Sequence, residues 1–129
     1  MFRNPKAYAV ADILPHIRRP TKSDPKPVLD LDGDEVKVYS LRLRTFKEKG
    51  LRCVTCGVEG THFYKERATQ DVRWHINLWG VTPDGVEVML TKDHIQPRAK
   101  GGRDRMDNMQ PMCRPCNIAK RDRWDPKTS

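Results

Sequence analysis

No apolar run in this chain approaches the ~18 residues that a membrane-spanning helix requires. No signal-peptide pattern opens it, and neither internal repeats nor low-complexity segments interrupt it. A cytoplasmic protein is the expectation. Apolar residues are also in short supply: 33% of the 129 residues are charged, and mean hydropathy is −0.80. A polar chain of one-domain length has a thin core and commonly needs a metal or disulfide staple. Four cysteines supply the candidates, and in a reducing compartment thiols bind metal in preference to pairing. What the chain holds in excess is positive charge. A net charge of +8 and a pI near 9.6 point to a polyanionic partner, most simply nucleic acid, although a merely basic protein shares that signature.

Residues 1–39 read as a basic arm that can include one strand. Five of the ten prolines fall there (Pro5, Pro15, Pro20, Pro25 and Pro27), which predicts extended or disordered chain. Asp30-Leu31-Asp32-Gly33-Asp34 imitates the start of a calcium loop, but Glu35 stands where glycine is required and Leu41 where the closing glutamate should be. Asp32-Gly33 instead predicts a turn, with Val36 and Val38 alternating on the strand after it. Ser40 predicts the N-cap of a helix over 41–49, closed by Gly50. Leu41, Leu43 and Phe46 would be buried, and Arg42, Arg44, Lys47 and Lys49 would face outward.

From Val72 to Thr91 the hydrophobic period is two. Trp74, Ile76 and Leu78 alternate with His75, Asn77 and Trp79, Thr82-Pro83-Asp84-Gly85 is a turn, and Val86, Val88 and Leu90 form the return strand. The expected antiparallel hairpin delivers Asp93-His94 at its end. Pro97 and Gly101-Gly102 then predict a loop carrying cations. A helix is predicted from near Arg114 past Arg121, with Pro115 in its first turn. His16, His62 and His75 read as ordinary residues.

Two metal sites of different character follow from the ligands. Cys53-x-x-Cys56 and Cys113-x-x-Cys116 offer four thiolates, the set for a closed tetrahedral structural zinc. Disulfides or a redox pair are the rival reading. The spacing between the pairs is too long for a simple ribbon, so the metal ties a knuckle after the first helix to the start of the last. Asp93 and Asn117 offer hard oxygens suited to Mg²⁺ or Mn²⁺. Because Asn117 follows Cys116, the turn that zinc fixes also aims Asn117. From Thr91 to the end, ten Lys/Arg face five Asp/Glu, so +5 of the total +8 lies in this third. Arg98, Lys100, Arg103, Lys120 and Arg121 are the candidate phosphate contacts.

Taken together, Cys53–Gly57, Thr91-Lys-Asp-His-Ile-Gln-Pro97, Gly101-Gly102, Asp107-Asn108-Met-Gln110 and Cys113-Arg-Pro-Cys-Asn-Ile-Ala-Lys120 resemble the HNH endonucleases, a branch of the ββα-metal (His-Me finger) nucleases. The resemblance spans roughly residues 40–122, leaving 1–39 as the arm and 123–129 as a tail, and small phage-type members are most similar. It implies an α+β fold in which a hairpin and helix cradle a divalent ion beside a treble-clef-like support of four cysteines and a zinc. It implies DNA phosphodiester hydrolysis leaving 5′-phosphate and 3′-hydroxyl ends, in the host cytoplasm if phage-encoded. His94 then matches the general base, Asp93 and Asn117 the Mg²⁺/Mn²⁺ ligands, Asn108 the asparagine that holds the histidine loop, and Lys120 a frequent trailing lysine. The alternatives are a catalytically inactive, zinc-dependent nucleic-acid-binding module and a basic interaction subunit with no divalent-ion dependence.

Overall fold

The computed structural model describes residues 1–126; the last part of the expected tail, 127–129, lies outside the described residues. The fold is α+β. Strands β1 (Phe2–Ala9), β4 (Gly60–Arg67), β5 (His75–Val81), β6 (Glu87–His94) and β7 (Met109–Cys113) form one antiparallel sheet in the order β1-β4-β5-β6-β7. Strands β2 (Val28–Leu31) and β3 (Asp34–Lys37) form a separate hairpin. The helices are α1 (Val10–Ile13), α2 (Leu41–Lys49) and α3 (Arg114–Lys120).

Local signals explain several of these elements. Asp32 (φ 55°) and Gly33 (φ 92°) form the two-residue turn of β2–β3, a conformation matched to the right-handed strand twist. Ser40 Oγ accepts a hydrogen bond from Leu43 N at 3.2 Å, satisfying one of the orphan donors at the start of α2. Leu43 and Phe46 from this helix are buried in one core cluster with Phe63, Ile76, Leu78 and Leu90 of the sheet. The β5–β6 hairpin forms where the two-residue period placed it, and β6 ends on His94.

The expected arm behaves differently. Residues 2–9 form the edge strand β1, paired with β4 through Phe2↔Arg67 and Ala9↔His62, and Ile13 and Ile17 are fully buried. Proline is tolerated because β1 is an edge, and the register shifts between Arg3 and Ala7, around Pro5. Arg3 is also tied to the sheet chemically. Its Nε donates to the buried carboxylate of Glu66 at 2.9 Å, and its guanidinium stacks on Tyr64 and Trp79. Glu66 takes two further bonds, from Asn77 Nδ2 and Trp79 Nε1, both at 2.8 Å. A buried charge persists only with such partners.

Two more expectations are corrected. Arg42 and Arg44 do not face outward: Arg42 donates to Asn77 Oδ1 (3.0 Å) and Ile76 O (2.9 Å), and Arg44 to Tyr39 O (3.0 Å). Each stem lies along the protein while its head satisfies backbone or amide oxygens. The last helix stops at Lys120, where Arg121 turns to φ 56°.

Candidate metal centre and active site

The site is built on the last hairpin and the helix that follows. In β6–β7 the register pairs Leu90↔Cys113, Asp93↔Gln110 and His94↔Met109. Leu90, Met109, Met112 and Cys113 are buried and fasten the hairpin to the core. α3 then starts at once, with Pro115 in its first turn. This strand–strand–helix unit is the ββα-metal arrangement.

The four cysteine Sγ atoms lie within 4.8 Å of one another, and Cys56 Sγ is 3.7 Å from Cys113 Sγ. Four sulfurs around one zinc at about 2.3 Å stand about 3.8 Å apart, so the cluster has the dimensions of a tetrahedral site and could hold zinc. The knuckle is preformed: Gly57 N donates to Cys53 O, Cys53 N to Val58 O, and Val54 N to Pro111 O of β7. Burial alone would raise the Cys53 thiol, but backbone donors from Cys56, Cys113 and Thr55 outweigh it and bring the thiol down to about 7. Burial and the crowd of neighbouring thiols push Cys113 and Cys116 up.

Beyond the cluster, α3 reaches back across the end of β6. Asn117 Nδ2 donates to Thr91 Oγ1 (3.0 Å) and Lys92 O (3.1 Å). Lys120, three residues on and so on the same helical face, donates from Nζ to Asp93 Oδ2 (2.6 Å) and His94 O (2.7 Å). Gln110 Nε2 adds a third donor, 2.9 Å from Asp93 Oδ2. Lys120 therefore turns inward where a DNA contact was expected, and its side chain is 19% exposed. Among the described residues no hydrogen bond reaches Oδ1 of Asp93 or Oδ1 of Asn117, which leaves one carboxylate and one amide oxygen as hard acceptors.

Asn108 secures the loop after His94. Its Oδ1 accepts from Gln96 N (2.8 Å), its Nδ2 donates to Gln96 O and Arg103 O (3.0 Å each), and its carbonyl accepts from Ile95 N (2.9 Å). Residues 96–103 are thus closed at both ends by one side chain. The closure also depends on Gly102, whose added Cβ would meet Gln96 O at 1.7 Å. Gly102→Ala is expected to cost about 1–3 kcal/mol, read as a lower urea midpoint at unchanged slope, because the backbone must shift to make room. An unchanged midpoint would show that the loop tolerates the shift.

His94, with a side chain 17% exposed, places Nε2 2.6 Å from Asp104 Oδ1. Arg98 grips the same carboxylate through Nε at 3.0 Å and through a second, shorter contact of its terminal nitrogen. The hydrogen bonds from His94 and then from Arg98 hold the Asp104 carboxyl down at about 2. Lys100, Arg103 and Arg121 are exposed. Asp104 was not named from sequence, and Gln110 was quoted in the resemblance without a role. Gln110 becomes visible once β7 is registered on β6, whereas Asp104 carries no sequence signal.

The family model for HNH endonuclease matches residues 82–123, which covers the β5–β6 turn, β6, the asparagine-pinned loop, β7 and α3. Over this segment the chain is similar to the HNH endonucleases. No curated protein and no solved structure matches it. Such a domain points to nuclease or nucleic-acid-binding function, and among the described residues no helix is long and apolar enough to cross a membrane.

Proposed function

We propose that this protein is a divalent-metal-dependent DNA endonuclease with His94 as general base. The observation that carries the proposal is convergence: His94, Asp93 and the Asn117–Lys120 face of α3 meet at one end of β6, beside the four-thiol cluster. Cys53, Cys56, Cys113 and Cys116 would hold a structural zinc, which fixes where α3 begins. Asp93 and Asn117 would hold one Mg²⁺ or Mn²⁺, an ion that needs few protein oxygens because it keeps waters and takes phosphate ligands. When bound, it supplies positive charge against the charge developing on the phosphate.

The chain's own residues divide the remaining work. His94 takes a proton from the attacking water. Asn108 holds the loop that faces it. Lys120 neutralises Asp93 through one oxygen and braces the His94 carbonyl. Lys100, Arg103 and Arg121, all exposed, would meet phosphates, and Arg98 would do so only at the expense of its grip on Asp104. Residues 40–122 form the nuclease unit on this proposal, in a reducing cytoplasm.

Magnesium-dependent nicking of supercoiled plasmid by the zinc-loaded protein is the test, and absence of nicking with either Mg²⁺ or Mn²⁺ would reject it. The Lys120 ammonium on Asp93 favours the second reading, a binding module without catalysis, because the acid already has a cation. That reading predicts DNA binding that ignores divalent ions and no cutting. Either way, affinity should fall with salt. Three exposed cations at about −0.9 each predict a log–log slope of roughly −3 on duplex DNA. A slope near zero in a fluorescence-anisotropy titration would contradict the phosphate contacts.

A further inference from the structure

The Arg98–Asp104–His94 chain lies outside the metal ligands and the asparagine that pins the loop. Asp104 directly follows the closed segment, between Arg103, whose carbonyl Asn108 Nδ2 holds, and Asn108 itself. Its Oδ1 stands 2.6 Å from Nε2 of His94. A side chain 47% exposed would normally sample several rotamers. Here the planar fork of Arg98 grips both carboxylate oxygens and restrains it. At the same end of β6, Asp93 and the Lys120 ammonium meet each other, and Lys120 meets the His94 carbonyl and not the ring.

We infer that Asp104, braced by Arg98, is a positioning residue for His94: it takes the Nε2 proton as a hydrogen bond and leaves Nδ1 as the basic atom. This rests on His94 being the general base. A carboxylate can only accept here, so Nε2 must be the protonated nitrogen and Nδ1 carries the lone pair. When water is deprotonated, its O–H bond breaks, the proton passes to Nδ1, and the hydroxide keeps the electron pair. The imidazolium so formed has its new charge 2.6 Å from the Asp104 anion, which opposes ring rotation and loss of the bond. Carboxylate depression to about 2 means that Asp104 is charged throughout the working range. Arg98 is thereby assigned to the loop in the first place, and to DNA only secondarily.

The experiment compares zinc-loaded wild type, Asp104→Ala and His94→Ala. Loss of an outer partner of this kind typically costs roughly 10- to 100-fold, so Asp104→Ala should lower kcat by that factor with KM for plasmid unchanged within about threefold. Added formate should restore part of the lost kcat in Asp104→Ala and none in His94→Ala, while chloride at equal ionic strength restores neither. The second readout needs no turnover. In ¹H–¹⁵N spectra, wild type should show a hydrogen-bonded His94 Nε2–H that Asp104→Ala lacks. An unchanged kcat, a rise in KM alone, or a ring proton that survives Asp104→Ala would each overturn the assignment. If His94→Ala nicks as fast as wild type, the base assignment fails, and the ring-proton comparison still decides whether Asp104 holds the imidazole.

Discussion

Stripping metal from the cysteine cluster, or removing one ligand by Cys113→Ser, is expected to abolish the cooperative thermal transition of the domain. The reason lies in what holds α3. It is seven residues long, buries no side chain, and leaves Ile118 61% exposed. A helix this short has no stability of its own in water. Its ties are the Asn117 and Lys120 hydrogen bonds to β6 and the thiols of Cys113 and Cys116. Structural zinc in small domains contributes on the order of 10–16 kcal/mol of apparent binding free energy, as much as a whole domain's usual margin of about 5–15 kcal/mol. Losing it should therefore release α3, then β7, then the knuckle bonded to β7 through Val54. Near-UV circular dichroism during heating, with and without a chelator, checks this. A cooperative transition at the wild-type temperature after complete zinc loss, measured by metal release, would show that the sheet core suffices.

That core is more substantial than the sequence suggested, and the discrepancy has identifiable causes. The proline-rich opening hides an edge strand, because Pro5 falls where the β1–β4 register shifts and costs no ladder bond. Strand β4 lacks clean alternation because Lys65 and Glu66 are both buried, each satisfied by partners far away in the chain: Asp34 and Leu31 O for one, Arg3, Asn77 and Trp79 for the other. Burial of charge is decided by tertiary partners, so no local pattern announces it. Signals that depend only on neighbours were legible: the Ser40 cap, the Asp32-Gly33 turn, the Thr82–Gly85 turn between β5 and β6. So was the site, in part. The paired cysteines come together as the ligand count required, and Asp93 with His94 arrives at the end of β6. What the letters did not convey is direction. Lys120 has the same composition as an exposed phosphate contact, and only the packing of α3 on β6 turns its ammonium onto Asp93.

His94→Ala is expected to lower the nicking rate by roughly 10²–10⁴ while leaving DNA affinity and zinc content close to wild type, since general-base loss typically costs that much. This substitution separates chemistry from structure better than its neighbours do. The imidazole is not part of the buried core, and its one side-chain partner, Asp104, is exposed enough to be resolvated. Because the side chain is only 17% exposed, stability should fall by about 1 kcal/mol, the usual worth of one lost hydrogen bond. Asp93→Ala is a poorer probe, because it strands the Lys120 ammonium in a largely shielded position and leaves Gln110 without its acceptor. A loss of activity there mixes metal affinity, an unpaired charge and a shifted helix. Plasmid nicking at saturating Mg²⁺, with anisotropy on the same DNA, provides the two numbers needed. A His94→Ala protein that binds and cuts at the wild-type rate would remove the imidazole from the reaction, and one that binds but does not cut would leave the Asp93–Asn117 pair as the part of the site still to be tested.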